Sequence, residues 1–283
     1  MLFTNAPSVP ILMYHHVSPN AGPITTSPSN FESQLKWLKW NGYQSITTKQ
    51  YVDYLNGSPL LPKSVMITFD DGYLDNWVWA YPILQKWGFN AVIFLVTSWI
   101  HDGPVRPLLG PSGNLPDTPD HHECERRIAA GRSDEVVLRW SEIHEMAESG
   151  TVEFHSHTDT HTRWDLGEDK ANKNLHMIEE LSRSRQTLAS HLGYATEHLC
   201  WPQGYFDNDY VQLARRAGYR YLYTTMPFGQ NKPSSNPECI HRFAVRNTSG
   251  QSVGRRIWVA RNPFVAPLFN TWKQWKRSMR ERV

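Results

Sequence analysis

Short, almost wholly apolar runs recur along this chain, several of them ending abruptly in histidine or aspartate, and residues with helical spacing follow them. Runs at 10–15, 64–69, 91–96, 152–154 and 221–225 suit buried strands, being too short for helices and bounded by turn residues. Helical spacing occupies 31–40, 73–87, 138–148, 173–192 and 210–217, and Gly42, Gly88, Gly150 and Gly218 close four of these stretches. Steady alternation of the two predicts parallel βαβ topology, because parallel neighbours need a crossover and a helix supplies it. The expected fold class is α/β, a distorted or incomplete (β/α) barrel in a single domain. A length of 283 residues suits it, since such barrels run to about 250.

Two stretches break the rhythm. Residues 102–137 carry Pro104, Pro107, Pro111, Pro116 and Pro119 with a polar run at 117–125, and read as a loop insertion beside the mouth of a site. From 255 the chain turns basic and aromatic, with Trp258, Phe264, Phe269, Trp272 and Trp275 among Arg and Lys. That pattern is a candidate membrane-surface segment, the alternative being a helix docked on the barrel. The expected division is 1–254 as the barrel domain and 255–283 as a basic, aromatic C-terminal segment.

Charge excludes one class of partner. Lys and Arg total 29 against 27 Asp and Glu, a formal charge of +2, which gives no electrostatic argument for nucleic acid. Cys124, Cys200 and Cys239 are odd in number and far apart, arguing against a disulfide framework or a thiolate zinc site. The N-terminus shows no basic n-region with an apolar h-region, and no run of about 18 apolar residues offers a membrane span; a cytoplasmic location is expected.

Thr68-Phe69-Asp70-Asp71-Gly72 puts two carboxylates at the end of an apolar strand, where barrel enzymes place catalytic groups. An N-cap pair for the following helix is the plain reading; the chemical one is a metal-binding Asp beside an Asp that accepts a proton. His157-Thr158-Asp159-Thr160-His161 follows the strand at 152–154, and histidines four apart converge on one metal if the backbone turns tightly. A polar loop of hydrogen-bonded histidines, His155 included, is the alternative. Two imidazoles and one carboxylate would leave a coordination position open for water, as catalytic metal sites do.

Taken together and in this order, TFDDG and HTDTH resemble the first two motifs of the polysaccharide deacetylase family, the NodB-homology carbohydrate esterases, over roughly residues 8 to 247. The resemblance implies metal binding by Asp71, His157 and His161, with Asp70 as general base. It implies one divalent ion, zinc first, with nickel, cobalt or iron as alternatives, since sites of this type discriminate weakly. The family's R-x-P-[FY] motif corresponds to Cys200-Trp201-Pro202-Gln203-Gly204-Tyr205, without the arginine that orients the base and with Gln203 at the aromatic position. Trp201 and Tyr205 are candidate substrate contacts there, Trp201 being as well explained by core packing, and the Gln203 main-chain N–H is a candidate oxyanion donor. Met13-Tyr14-His15 resembles the subgroup of poly-N-acetylglucosamine deacetylases, which implies His15 as general acid; His241 is the alternative and His16 a neighbour. His121 and His122 are expected to be exposed loop residues without a role, and Arg139-Trp140 to open a helix by packing.

The function so implied is hydrolytic removal of an N-acetyl group from an N-acetylated polysaccharide, glycolipid or lipid-linked glycan precursor, through water activated by the metal, releasing acetate. An O-acetyl esterase or non-sugar amidase with the same site is the alternative, and a silent carbohydrate-binding module the reading from another class. The absent leader and the basic tail together suggest a substrate met at the inner face of a membrane.

Overall fold

The computed structural model describes residues 5–110, 113–227, 229–262 and 264–280. In chain order come β1 (Ile11–Tyr14), β2 (His16–Val17), β3 (Thr25–Thr26), α1 (Pro28–Trp40), β4 (Gln44–Ser45), α2 (Thr48–Leu55) and β5 (Ser64–Phe69). A π-helical turn, Asn76–Ala80, runs into α3 (Tyr81–Trp87), followed by β6 (Ala91–Leu95), α4 (His121–Ala129), α5 (Trp140–Glu148) and β7 (Val152–Ser156). Then come α6 (Lys173–Leu192), β8 (His198–Cys200), α7 (Asn208–Arg216), β9 (Tyr221–Tyr223), β10 (Phe243–Ala244), α8 (Gly250–Arg261) and α9 (Val265–Arg280).

The main sheet runs β10-β1-β5-β6-β7-β8-β9, every pair parallel, with β4 beside the start of β5. Its central strands are apolar on both faces because both are covered. Ile11, Met66, Val92 and Phe94 point into the curl, while Leu12, Ile67, Ile93 and Phe154 meet the outer helices. The curl is bridged by one segment: Ile240 pairs with β9, donating to Leu222 O at 2.9 Å, and three residues later Phe243 pairs with Leu12 of β1. This is the incomplete α/β barrel that the alternation predicts, in one domain, with the strand C-termini gathered around the site.

Two expectations need correction. The boundary at 254/255 falls inside α8, whose Val253 and Ile257 are buried against the body and whose Gly250 and Gly254 let it touch α1 at Ser33 and Trp37. The 102–137 insertion does lie beside the site mouth, but its polar run is partly helical: Asp120 caps α4 by accepting from the Glu123 N–H at 3.1 Å. In α9, Ala266 is buried, whereas Phe264 just before it and Leu268, Trp272 and Trp275 along it are exposed. Among the described residues no helix is long and apolar enough to cross a membrane. Met1 to Thr4, Pro111 and residues 281–283 lie outside the described residues.

Candidate active site

The two carboxylates leave β5 through a turn that few sequences can make. Asp70 continues the ladder, its N–H donating to Tyr14 O at 3.0 Å, and then Asp71 and Gly72 take φ of 74° and 76°. The glycine is required, since a Cβ there would stand 2.7 Å from Leu95 Cδ2. Of the five described non-glycine residues with positive φ, three line the cleft, Asp71, His161 and Gln203, and a fourth, Thr158, adjoins His157. Such conformations persist only where the surroundings impose them, and they gather at functional sites.

The histidine loop is imposed by a buried carboxylate. Glu180 of α6 accepts from the main-chain N–H groups of Asp159 (2.9 Å) and Thr160 (2.8 Å), and from the Thr160 hydroxyl. His157 Nδ1 donates to Cys200 O at 2.8 Å, which turns its Nε2 toward the cluster. That Nε2 and the His161 Nε2 lie 3.3 and 3.5 Å from Asp71 Oδ1, which is buried. Burial pulls His161 down to about 4, so its ring is neutral. Burial pulls His157 the same way, but Cys200 and Asp71 beside it outweigh burial and hold it well above the ordinary imidazole range, so a cation bound here would displace the Nε2 proton that faces Asp71. Two imidazole nitrogens and one carboxylate oxygen thus converge, a donor set that suits a divalent cation, with the Cys200 carbonyl holding one ring's tautomer. Asp70, His157 and Cys200 also come within metal-ligating reach of each other, but Asp70 is already engaged.

Its partner is Arg242, to which no sequence motif points. Arg242 lies inside the barrel, 1% exposed, and all five N–H groups are used. Nε donates to Thr224 O (3.0 Å), Nη1 to Asp70 Oδ1 (2.6 Å) and Thr68 Oγ1 (3.1 Å), and Nη2 to Asp70 Oδ2 (2.8 Å) and Cys200 Sγ (2.9 Å). Burial by itself raises the Asp70 carboxyl, and the guanidinium overrides it and holds the group below the usual carboxylate range. The orienting arginine missing from position 200 is therefore supplied from the segment that closes the sheet. His15 Nε2 stands 3.8 Å from Asp70 Oδ2, on the rim of a cavity of about 370 Å³ that Asp70, Asp71, His157 and His161 also line.

The remaining candidates separate. Gln203 lines the cavity with φ 52°, and Gly204 beside it has no room for a side chain, Thr225 Oγ1 lying 2.0 Å from where a Cβ would be. Trp201 is wholly buried, parallel to Phe206 and Tyr210 with centroids 6.0 Å away in each case; substrate stacking is ruled out by burial, and it is a core residue. Tyr205 also points away from the cavity, under the Arg163 guanidinium at 4.2 Å. His241 lines a different cavity with Ser8 and Arg256, its Nδ1 3.3 Å from Met226 O. Trp140 packs as expected, stacked 3.8 Å from His191. His122 is exposed, but His121 is not a loose loop residue: it opens α4 and lines the cavity with Glu125.

A sequence model described as polysaccharide deacetylase matches residues 57–222. A Bacillus subtilis protein named as a polysaccharide deacetylase, YxkH, is 28% identical over 251 residues, covering 88% of this chain and 76% of the relative. The poly-beta-1,6-N-acetyl-D-glucosamine N-deacetylase of Staphylococcus aureus is 24% identical over 239 residues, 82% of this chain and 71% of that one. Among solved structures, a de-N-acetylase from Aggregatibacter actinomycetemcomitans superposes with a TM-score of 0.68 at 26% identity, over 88% of this chain and 99% of the other.

Proposed function

Because the chain belongs to the polysaccharide deacetylase family, we propose that it removes the N-acetyl group from an N-acetylated saccharide by metal-dependent hydrolysis, releasing acetate. The observation that carries this reading is a charged, arginine-held Asp70 next to the converging ligand set of Asp71, His157 and His161. Asp71, His157 and His161 would hold the divalent ion, zinc first among the candidates, and the ion would supply a water of lowered pKa, about 7 for zinc, and polarise the amide oxygen. Asp70, kept ionised by Arg242, takes the proton from water as its oxygen attacks the amide carbon. The C–N bond then breaks as the proton that Asp70 took from water passes to the departing amine through His15, whose Nε2 is 3.8 Å from Asp70 Oδ2 and which burial holds below its ordinary pKa. The Gln203 main-chain N–H is our candidate donor to the oxyanion, a part that side-chain identity does not affect.

The exposed stripe of Phe264, Leu268, Trp272 and Trp275 extends the proposal to where substrate is met. Residues 265–283 add five Lys and Arg and one Glu, so an anionic membrane surface fits this segment, and with it a lipid-linked saccharide at the cytoplasmic face. The function is tested by acetate release from N-acetylglucosamine oligomers and from lipid-linked N-acetyl sugars with zinc-loaded protein, O-acetyl esters being run in parallel. Release from amides that vanishes with chelator supports the proposal; turnover of esters alone refutes it.

A further inference from the structure

A second chain of histidines and carboxylate runs from the core to the cleft wall. Asp75 is 2% exposed; its Oδ1 accepts from the Val17 N–H (3.2 Å) and Asn76 Nδ2 (2.8 Å), and its Oδ2 from His16 Nδ1 (2.6 Å). His16 is equally buried, stacked on Tyr73 with centroids 3.9 Å apart. Its Nε2 lies 3.2 Å from Nδ1 of His121, the cleft-lining residue of α4, a nitrogen that the Tyr73 hydroxyl also reaches at 3.4 Å; the His121 Nε2 is 3.5 Å from Glu125 Oε1.

Hydrogen-bond polarity propagates along this chain. A carboxylate only accepts, so His16 Nδ1 carries the proton and, in the neutral ring, Nε2 is an acceptor. His121 Nδ1 then donates to it, with the Tyr73 oxygen as a second acceptor, and His121 Nε2 is left bare toward the cleft; the 2.6 Å bond to Asp75 sets this polarity against the longer 3.5 Å approach of the Glu125 carboxylate. Burial holds His121 below its ordinary pKa, which keeps the ring neutral. We propose that Asp75 and His16 are positioning residues that fix His121 as an acceptor, and that His121 Nε2 receives a hydroxyl of the bound saccharide. Glu125 is also an acceptor, so this wall suits a ligand rich in O–H donors. The saccharide contact rests on the deacetylase reading; the polarity of the chain does not.

Asp75→Asn separates polarity from shape. With its carbonyl kept toward Val17 and Asn76, the new amide donates to His16 Nδ1, the proton moves to His16 Nε2, and His121 Nε2 becomes an N–H. Imidazole 15N shifts should show His121 Nε2 bare in the parent and protonated in the variant. On N-acetylglucosamine oligomers, Asp75→Asn and His121→Phe should each raise KM roughly five- to tenfold, one hydrogen bond's worth, with kcat within about twofold. If His121 keeps its protonation pattern in Asp75→Asn, the relay is refuted. An unchanged KM in both active variants overturns the saccharide contact, and His121→Phe, which keeps the ring but removes the acceptor, decides this even if Asp75→Asn does not fold. A parent protein inert toward every N-acetyl saccharide overturns the contact together with the deacetylase reading, and the nitrogen shifts still decide the relay.

Discussion

Asp70 and Arg242 are 172 positions apart and depend on each other. On the proposed mechanism, Asp70→Asn keeps the shape and Asp71, His157 and His161 but removes the proton acceptor; metal analysis should match the parent while kcat falls by roughly 10²- to 10⁴-fold. Arg242→Met leaves a buried carboxylate without its partner, and thermal or denaturant unfolding should register a loss of about 3–5 kcal/mol. Arg242→Lys should rescue little, since an ammonium cannot make the planar two-point contact. Asp70, Asp71, His157 and His161 were legible because each stands in a contiguous motif at a strand end. Arg242 was not, because nothing local distinguishes it: its meaning comes from a neighbour distant in the chain, and the only signal was the cysteine where an arginine was wanted. Trp201 misled for the converse reason, since position in a motif says nothing about which way a side chain faces.

Among the elements, α6 was readable to its last residue, being long, periodic and ended by Gly193 in the left-handed conformation. The 73–87 stretch was read as one helix and contains the π-helical turn Asn76–Ala80, a change of hydrogen-bond register that leaves no mark in hydrophobic spacing. No helix is legible at 121–129, where α4 buries Cys124 rather than a broad apolar face. The α1–α8 contact depends on two glycines: a Cβ on Gly254 would stand 2.3 Å from the Trp37 ring. Gly254→Val should therefore lower stability by about 1–3 kcal/mol in a denaturant titration with the site's metal content unchanged. For α9 the decisive measurement is flotation with anionic liposomes before and after deletion of 262–283; equal binding by the two would end the membrane proposal.

Across the whole molecule, stability carries an acid limit. His155 and His198 are buried with rings 4.5 Å apart, and burial first of all holds both below their ordinary pKa. The unfolded chain takes up these protons as pH falls below about 6.5 while the folded one refuses them. Stability is thus lost on acidification through that point, by at most about 1.4 kcal/mol per pH unit for each imidazole. His198→Phe, which keeps the stack on Tyr221, should flatten the fall of Tm between pH 6.5 and 4.5. A steeper fall in the variant would refute the assignment. The alternation of strands and helices foretold the barrel, but not how it is fastened: the segment joining β9 to β1 contributes only a few main-chain bonds and no long apolar run. Yet that clasp carries Arg242. On the proposed mechanism, reactivity and architectural integrity are interlocked, for a chain whose clasp has slipped would keep Asp71, His157 and His161 yet lose the charge that holds Asp70 ionised, and be disarmed before it unravels.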